Sequence, residues 1–202
     1  MTSHRFFFRL TILSAMLCTC CSVLAGQATP VQKPESQPTA VSRWHFGSEV
    51  DVLPYVLGGY YGSFFVGRDE WRLRAVVARS EAPSFLVASG FEKKRSDAYA
   101  LVADRFLGSG RHRQEGFWVG GGGEFWRSRI RLENTTDFTY YNNFSLTVGG
   151  GYVWKLTSHI YLNPWSAAHV IAGGSTDVDV SGKIYKQPRF TPEASLKVGF
   201  VF

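Results

Sequence analysis

The chain contains little cysteine, and all of it lies near the N-terminus. The three cysteines, Cys18, Cys20 and Cys21, fall within residues 1–25, which we predict to be a secretory signal peptide. Cleavage after Ala25 would leave a mature chain without cysteine. Neither a disulfide nor a thiolate metal site could then stabilise the fold.

The signal-peptide prediction rests on three features of residues 1–25. Arg5 and Arg9 form a basic head, residues 10–23 are mostly apolar, and Val23 and Ala25 place small residues at the −3 and −1 positions of the cleavage site. Cys20, the candidate acceptor of a lipid, follows Thr19, and a threonine at that position fits a lipid-attachment site poorly. We therefore expect an exported protein without a lipid anchor.

Long hydrophobic runs are also missing. After the signal, no segment reaches the ~18 apolar residues that a membrane-spanning helix requires. Charge of one sign does not dominate either, because removing Arg5 and Arg9 leaves 20 basic against 16 acidic residues, a net charge of +4. These basic residues form no cluster interleaved with aromatics, so we expect no nucleic-acid partner. The five histidines have no metal-ligand spacing, and we predict neither a metal nor a cofactor.

Aromatic residues and glycine are abundant instead. Phe, Trp and Tyr make up 15% of the 202 residues, and 21 residues are glycine. This composition suits a twisted all-β structure. Residues 26–43, rich in Pro, Gln and Ser, are predicted to be a flexible lead-in, and residues 44–202 a single β domain. Gly120–Gly123 precedes no helical pattern, so we interpret it as a bend or as a place where a bulky neighbour crosses the strand.

The strand assignments follow from side-chain alternation with a period of two. Residues 85–91 are predicted as a short apolar strand, and residues 92–97 as a charged loop. Residues 98–107 fit either a helix or a strand, and the strand is favoured. The longest alternation, residues 143–157, spans roughly 50 Å at ~3.3 Å per residue.

The last ten residues, 193–202, alternate most clearly. One face carries Ala194, Leu196, Val198, Phe200 and Phe202, and the other carries Glu193, Ser195, Lys197, Gly199 and Val201. With the signal peptide and the successive amphipathic strands, this ending resembles the small outer-membrane β-barrels of Gram-negative bacteria, the OmpA-like and OmpW-like superfamily. The resemblance implies an antiparallel transmembrane barrel of about eight strands, with ten as the alternative.

The same resemblance implies a location and partners. The protein would lie in the outer membrane as a monomer surrounded by outer-membrane lipids. Leu196, Val198, Phe200 and Phe202 match the terminal signal that the barrel-assembly machinery reads in this superfamily.

The inner wall of such a barrel would be charged. We predict lumen charges at Glu49, Asp51, Arg72, Arg74, Asp104, Lys155, Glu193 and Lys197. In eight strands these would neutralise one another in a packed or narrow lumen, and the protein would be non-enzymatic, with a structural or interaction role. In ten strands they would line a channel for small solutes or hydrophobic ligands.

An enzyme that modifies lipid A is a further alternative. His169, Ser166 and His159 are the candidate catalytic residues, with Asp104 or Glu124 as the orienting acid. In a regular strand Ser166 and His169 point to opposite faces. A bulge at residues 163–165 would be needed to bring them together.

Overall fold

The computed structural model describes residues 44–82 and 87–202, which fold into a closed antiparallel barrel of eight strands. The predicted all-β barrel is confirmed, and the ten-stranded alternative is wrong, because two of the ten strands pair only with each other. The barrel strands are β1 (Trp44–Asp51), β2 (Tyr60–Arg68), β3 (Trp71–Glu81), β4 (Phe91–Phe106), β5 (Gly116–Leu132), β6 (Thr139–Lys155), β7 (Ile160–Gly174) and β10 (Phe190–Val201). The remaining two, β8 (Asp177–Val180) and β9 (Lys183–Lys186), form a separate hairpin.

Strands that follow one another in the barrel pair with each other, and β1 closes it by pairing with β10. This last pairing runs from Gly47 opposite Val201 to Asp51 opposite Lys197. Closure satisfies the backbone groups of both outermost strands, so the barrel has no open edge. In the described part of the chain, no helix is long and apolar enough to cross a membrane.

The two ends of the barrel differ. At the terminal end, where β1 begins and β10 ends, the shortest connection is the turn Asp69–Glu70 between β2 and β3. At the opposite end, which we call the loop end, a short helix α1 (Val52–Val56) and the β8–β9 hairpin connect the strands. The hairpin packs Val178, Val180 and Tyr185 against Phe91, Ile130 and Tyr141 of the barrel.

Strand β4 corrects two predictions and confirms a third. Residues 87–90 form a bend and a turn rather than a strand, residues 83–86 lie outside the described residues, and β4 begins at Phe91. Residues 92–97, predicted as a loop, belong to β4, with a β-bulge between Glu92 and Arg95. Their charge misled the prediction, because charged side chains alternate here with inward Ser96 and Ala98. Residues 98–106 are strand, as favoured.

The outward wall of the barrel is apolar on every strand. Exposed aliphatic or aromatic side chains on the eight barrel strands include Phe46, Phe64, Leu73, Leu101, Val119, Leu146, Val170 and Phe200. The exposed fraction rises from 36% at Val198 on β10 to 67% at Phe202, the residue after this strand. An apolar surface that encircles the molecule is far larger than the patches that soluble monomers expose.

The inward wall is packed tightly near the terminal end. Phe65, Phe106, Trp118, Val153 and Tyr161 form an apolar cluster that fills this part of the lumen. The rings lie against the next layer, because the Arg72 guanidinium carbon is 5.0 Å from the centroid of Phe106 and 5.2 Å from that of Phe65. Cation–π contacts therefore join the apolar cluster to the charges beside it.

A buried layer of charge lies directly on this apolar cluster. Arg72 Nε and Arg74 Nε donate to Asp104 Oδ2 at 2.8 and 2.7 Å, and Arg74 Nη2 donates to Asp104 Oδ1 at 2.8 Å. Glu49 accepts from Arg72 Nη1 at 3.1 Å and from Arg74 Nη1 at 3.4 Å. Two cations and two carboxylates thus form a buried ion network.

Polar neighbours complete this network. Tyr161 Oη and Asn163 Nδ2 donate to Glu49 Oε1 at 2.8 and 3.0 Å. Asn163 in turn accepts from Trp118 Nε1 at 2.9 Å, which ties the network to the apolar cluster. Buried charges are tolerated when each is paired and hydrogen-bonded in this way.

Glycine makes room for these large inward groups. A Cβ atom at Gly120 would overlap the Asp104 carboxylate, and one at Gly151 would lie 2.9 Å from Trp118 Nε1. On the outward face the Phe144 ring crosses Gly123, where a Cβ would lie 3.0 Å from its edge. The glycine run therefore serves close approach by bulky neighbours, one of the two readings made from sequence.

Removing one carboxylate of the ion network should destabilise the barrel strongly. Glu49→Gln leaves Arg72 and Arg74 with only Asp104, and breaking a buried pair in this way costs about 3–5 kcal/mol. Urea titration of the refolded barrel, followed by tryptophan fluorescence, measures the loss.

Glu70→Gln is the matched control, because Glu70 lies in a turn and is 4.0 Å from Arg105. An exposed pair contributes at most about 1 kcal/mol. Equal losses in the two variants would contradict the assigned importance of the network.

Candidate functional site

A cavity of about 340 Å³ lies above the ion network and extends toward the loop end of the barrel. We call it the cup. It exists because the inward residues here are small, namely alanine on β3, β4 and β7 and glycine on β5 and β6. Its walls include Val76, Ala78, Ala98, Ala100, Val102, Gly120, Gly149, Ala167 and Ile171.

The floor of the cup is cationic and aromatic. Arg74, Trp118, Trp165 and Lys197 line it. Lys197 is only 1% exposed, and its Nζ lies 3.6 Å from the Trp165 ring centroid and 5.1 Å from that of Tyr61. Among the described residues no carboxylate lies within 4.0 Å of this amine, so the rings are its closest partners.

Asp51 fixes the Trp165 ring that supports Lys197. Trp165 Nε1 donates to Asp51 Oδ2 at 2.7 Å, and the Ser195 hydroxyl donates to the other carboxylate oxygen. The same oxygen accepts from the backbone N–H of Leu53 at 3.0 Å, where Asp51 caps α1. One carboxylate thus joins β1, β7, β10 and α1 at the floor of the cup.

A second polar group lies on the wall of the cup. His169 Nδ1 is 2.9 Å from Glu124 Oε2, and His169 Nε2 is 3.1 Å from Glu193 Oε2. Trp126 Nε1 also donates to Glu124 Oε2, at 2.8 Å. Because both imidazole nitrogens face carboxylates, the histidine satisfies both only as the doubly protonated, donating form. Neither nitrogen is then free to accept a proton from a nucleophile.

The candidate catalytic residues are not brought together. The pairing of β7 with β10 continues without a shift through residues 160–170. The pairing of β7 with β6 also has no shift in register between Leu162 and Trp165. Residues 163–165 therefore form no bulge. Ser166 therefore points outward while His169 points into the cup. His159 is exposed in the β6–β7 turn, and Asp104 is held by Arg72 and Arg74.

The residues predicted as lumen charges fall into three groups. Six of them form the ion network or the cup floor, namely Glu49, Asp51, Arg72, Arg74, Asp104 and Lys197. Glu193 contacts His169 on the cup wall. Lys155 lies apart at the terminal end of β6, where Nζ donates to the carbonyl of Arg113 at 2.8 Å. It is away from the buried charges because it is the last residue of its strand.

His169 contacts Glu124, one of the two candidate orienting acids, and also Glu193, whose contact with the histidine was not anticipated from sequence. Each of the three residues occupies an inward-facing position in the alternating pattern of its own strand. This pattern was the only indication in the sequence that they could share the lumen. Only the order β10-β7-β6-β5 shows that these strands bring the three side chains together across β6. In the described ranges, no group of three or more His, Cys, Asp or Glu residues is arranged to hold a metal ion.

Comparison with known proteins gives structural matches only. No family model matches the chain, and no curated protein does. The N-terminal β-barrel domain of Pseudomonas aeruginosa OprF matches with a TM-score of 0.51 and 15% sequence identity, over 79% of this chain and 96% of that one. Neisserial surface protein A matches with a TM-score of 0.44 and 16% identity, over 79% and 97% of the two chains.

At 15% identity, the OprF match is a likeness of fold. Together with the closed eight-stranded topology, it shows that the chain has the same fold as that β-barrel domain.

Proposed function

We propose that the protein is a non-enzymatic outer-membrane β-barrel with a closed lumen and a structural or interaction role. The observation that carries this proposal is the plug at the terminal end, which consists of the apolar cluster and the ion network. Eight strands enclose only enough space for side chains, and here aromatic rings and paired charges occupy that space. The cup is therefore closed at its base and is not part of a channel.

The membrane location is supported by the apolar wall that all eight barrel strands present outward. In outer-membrane barrels the shorter turns lie on the periplasmic side and the longer loops outside the cell. This rule orients the terminal end toward the periplasm and the loop end outward. Export by the signal peptide, surrounding outer-membrane lipids and a monomeric state belong to the same proposal.

The terminal strand supplies the assembly signal in this proposal. Leu196, Val198, Phe200 and Phe202 all point outward, with no polar contact of their side chains among the described residues. Their exposure agrees with recognition by the barrel-assembly machinery.

An interaction role would use the loop end. There the cup offers apolar walls and a cationic floor, a combination that suits a compact ligand with an apolar body and a polar end. The lipid A-modifying alternative is less favoured, because Ser166 and His169 lie on opposite faces of β7.

The protein should fractionate with the outer membrane and migrate differently on gels before and after heating. A closed barrel has all strand hydrogen bonds paired, so it resists detergent until heated. Membrane fractionation followed by electrophoresis of heated and unheated samples measures both properties. Recovery of the unmodified protein in the soluble periplasm would overturn the membrane proposal.

The two walls of β10 should differ in how well they tolerate an added charge. Val198→Arg places a cation on the apolar wall, which costs about 2–4 kcal/mol near the middle of the bilayer. Ser195→Arg places the same cation inside, where Asp51 accepts from the native serine. The fraction of heat-modifiable barrel formed in lipid vesicles should fall strongly for Val198→Arg and far less for Ser195→Arg. The reverse result would identify the outward wall as a buried core.

The purified barrel should show no stable conductance in a planar bilayer, because the plug leaves no continuous water path. Reproducible single channels of uniform size would contradict the closed lumen. If such channels appear, the Arg74→Ala variant tests whether ions pass through the plug, where Arg74 lies. A change in the ion selectivity of this variant would show that they do. Arg105→Ala, on the outward wall, is the control that should leave selectivity unchanged.

A further inference from the structure

Arginine is concentrated on the outward face of β3, β4 and β5 at the loop end. Arg79, Arg95, Arg127 and Arg129 line a groove of about 470 Å³, in which Asp97 is the only carboxylate among the described lining residues. We call these five residues the arginine patch. It lies on the outward face of the barrel, and of its five residues Arg79 also lines the cup.

The strand register places these side chains directly opposite one another. Arg79 pairs with Asp97, and Asp97 pairs in turn with Arg127 on the next strand. Arg95 pairs with Arg129. Like charges at directly opposite positions of an antiparallel pair destabilise a sheet.

The chain itself compensates little of this charge. Asp97 forms its ion pair with Arg79. Arg129 lies over the Phe138 ring, 4.9 Å from its centroid, and within residues 44–82 and 87–202 no carboxylate lies within 4.0 Å of the Arg95, Arg127 or Arg129 guanidinium groups. Three positive charges therefore remain, and a bound anion would remove the repulsion between Arg95 and Arg129.

The surroundings of the patch indicate what carries the anion. Val77, Tyr99 and Phe125 lie on the same outward faces, each two positions along its strand toward the middle of the barrel. All three side chains are exposed. Phe144 and Leu101 extend this apolar surface. If the anion carried an apolar tail, the tail would pack along this apolar surface. A free ion would make no contact with that surface.

We propose that the arginine patch binds the phosphate group of an anionic lipid in the outer leaflet. Guanidinium groups donate paired hydrogen bonds to phosphate oxygens, and Arg95 and Arg129 offer such groups from two adjacent strands. Exposed Tyr140, opposite Arg129 on β6, adds a hydroxyl donor at the edge of the groove. The inference rests on the proposed membrane location, which supplies the lipid.

Binding of fluorescent phosphatidic acid to the purified barrel in neutral detergent micelles tests the patch. Fluorescence anisotropy should give an affinity that falls about tenfold or more in Arg95→Gln/Arg129→Gln, since hydrogen bonds to a charged group are lost. The control Arg105→Gln/Arg113→Gln removes the same charge at the terminal end and should change the affinity less than about twofold. Arg127→Gln, at an exposed site, tests the same groove if the first double variant does not fold.

Several outcomes would overturn the proposal. Equal affinity in all variants, or equal loss in the control, would exclude specific binding at the patch. Displacement of the lipid by millimolar inorganic phosphate, or equal binding of a diacylglycerol probe without phosphate, would exclude a lipid phosphate as the ligand. Failure of the wild-type protein to form a heat-modifiable barrel would instead count against the membrane proposal itself.

Discussion

The structure depends on pairing Arg72 and Arg74 with Glu49 and Asp104 inside a barrel too narrow for bulk water. The residues come from β1, β3 and β4, so the network joins β1 to β3 and β4 across the intervening strand β2. Unpaired, any one of these charges would be very unfavourable in the interior; together they are neutral and hydrogen-bonded. Tyr161 and Asn163 extend the same network to β7, on the far side of the closing β1–β10 pair.

This network also divides the interior in two. At the terminal end, a cluster of large apolar side chains packs inside the lumen. Toward the loops, alanine and glycine replace them and leave the cup, whose floor is made by Lys197 and Trp165. A closed base with a cavity above it agrees with a barrel that presents a surface rather than one that conducts, and the arginine patch on the outer wall of the same end adds a second place for contact.

Alternation predicted the strands well wherever one wall was apolar. It failed at residues 87–97, where residues 87–90 form a bend and a turn and the first part of β4 carries polar residues on both walls. The catalytic hypothesis was limited by the same periodicity, which places Ser166 and His169 on opposite faces in the absence of a bulge. Lys155 shares the inward parity but lies at the end of its strand, a position that parity alone does not report.

The sequence by itself determined the all-β class, the two-walled strands and which charges face inward, because side-chain direction in a strand follows directly from a period of two. Only the tertiary structure decided the strand number, the partners of each charge and the existence of the cup. Those depend on which strands become neighbours when the sheet closes, and closure joins residues such as Glu49 and Asn163 that are 114 positions apart. The contact of His169 with Glu124 and Glu193, and the meeting of Arg95 with Arg129, are likewise consequences of strand order and register.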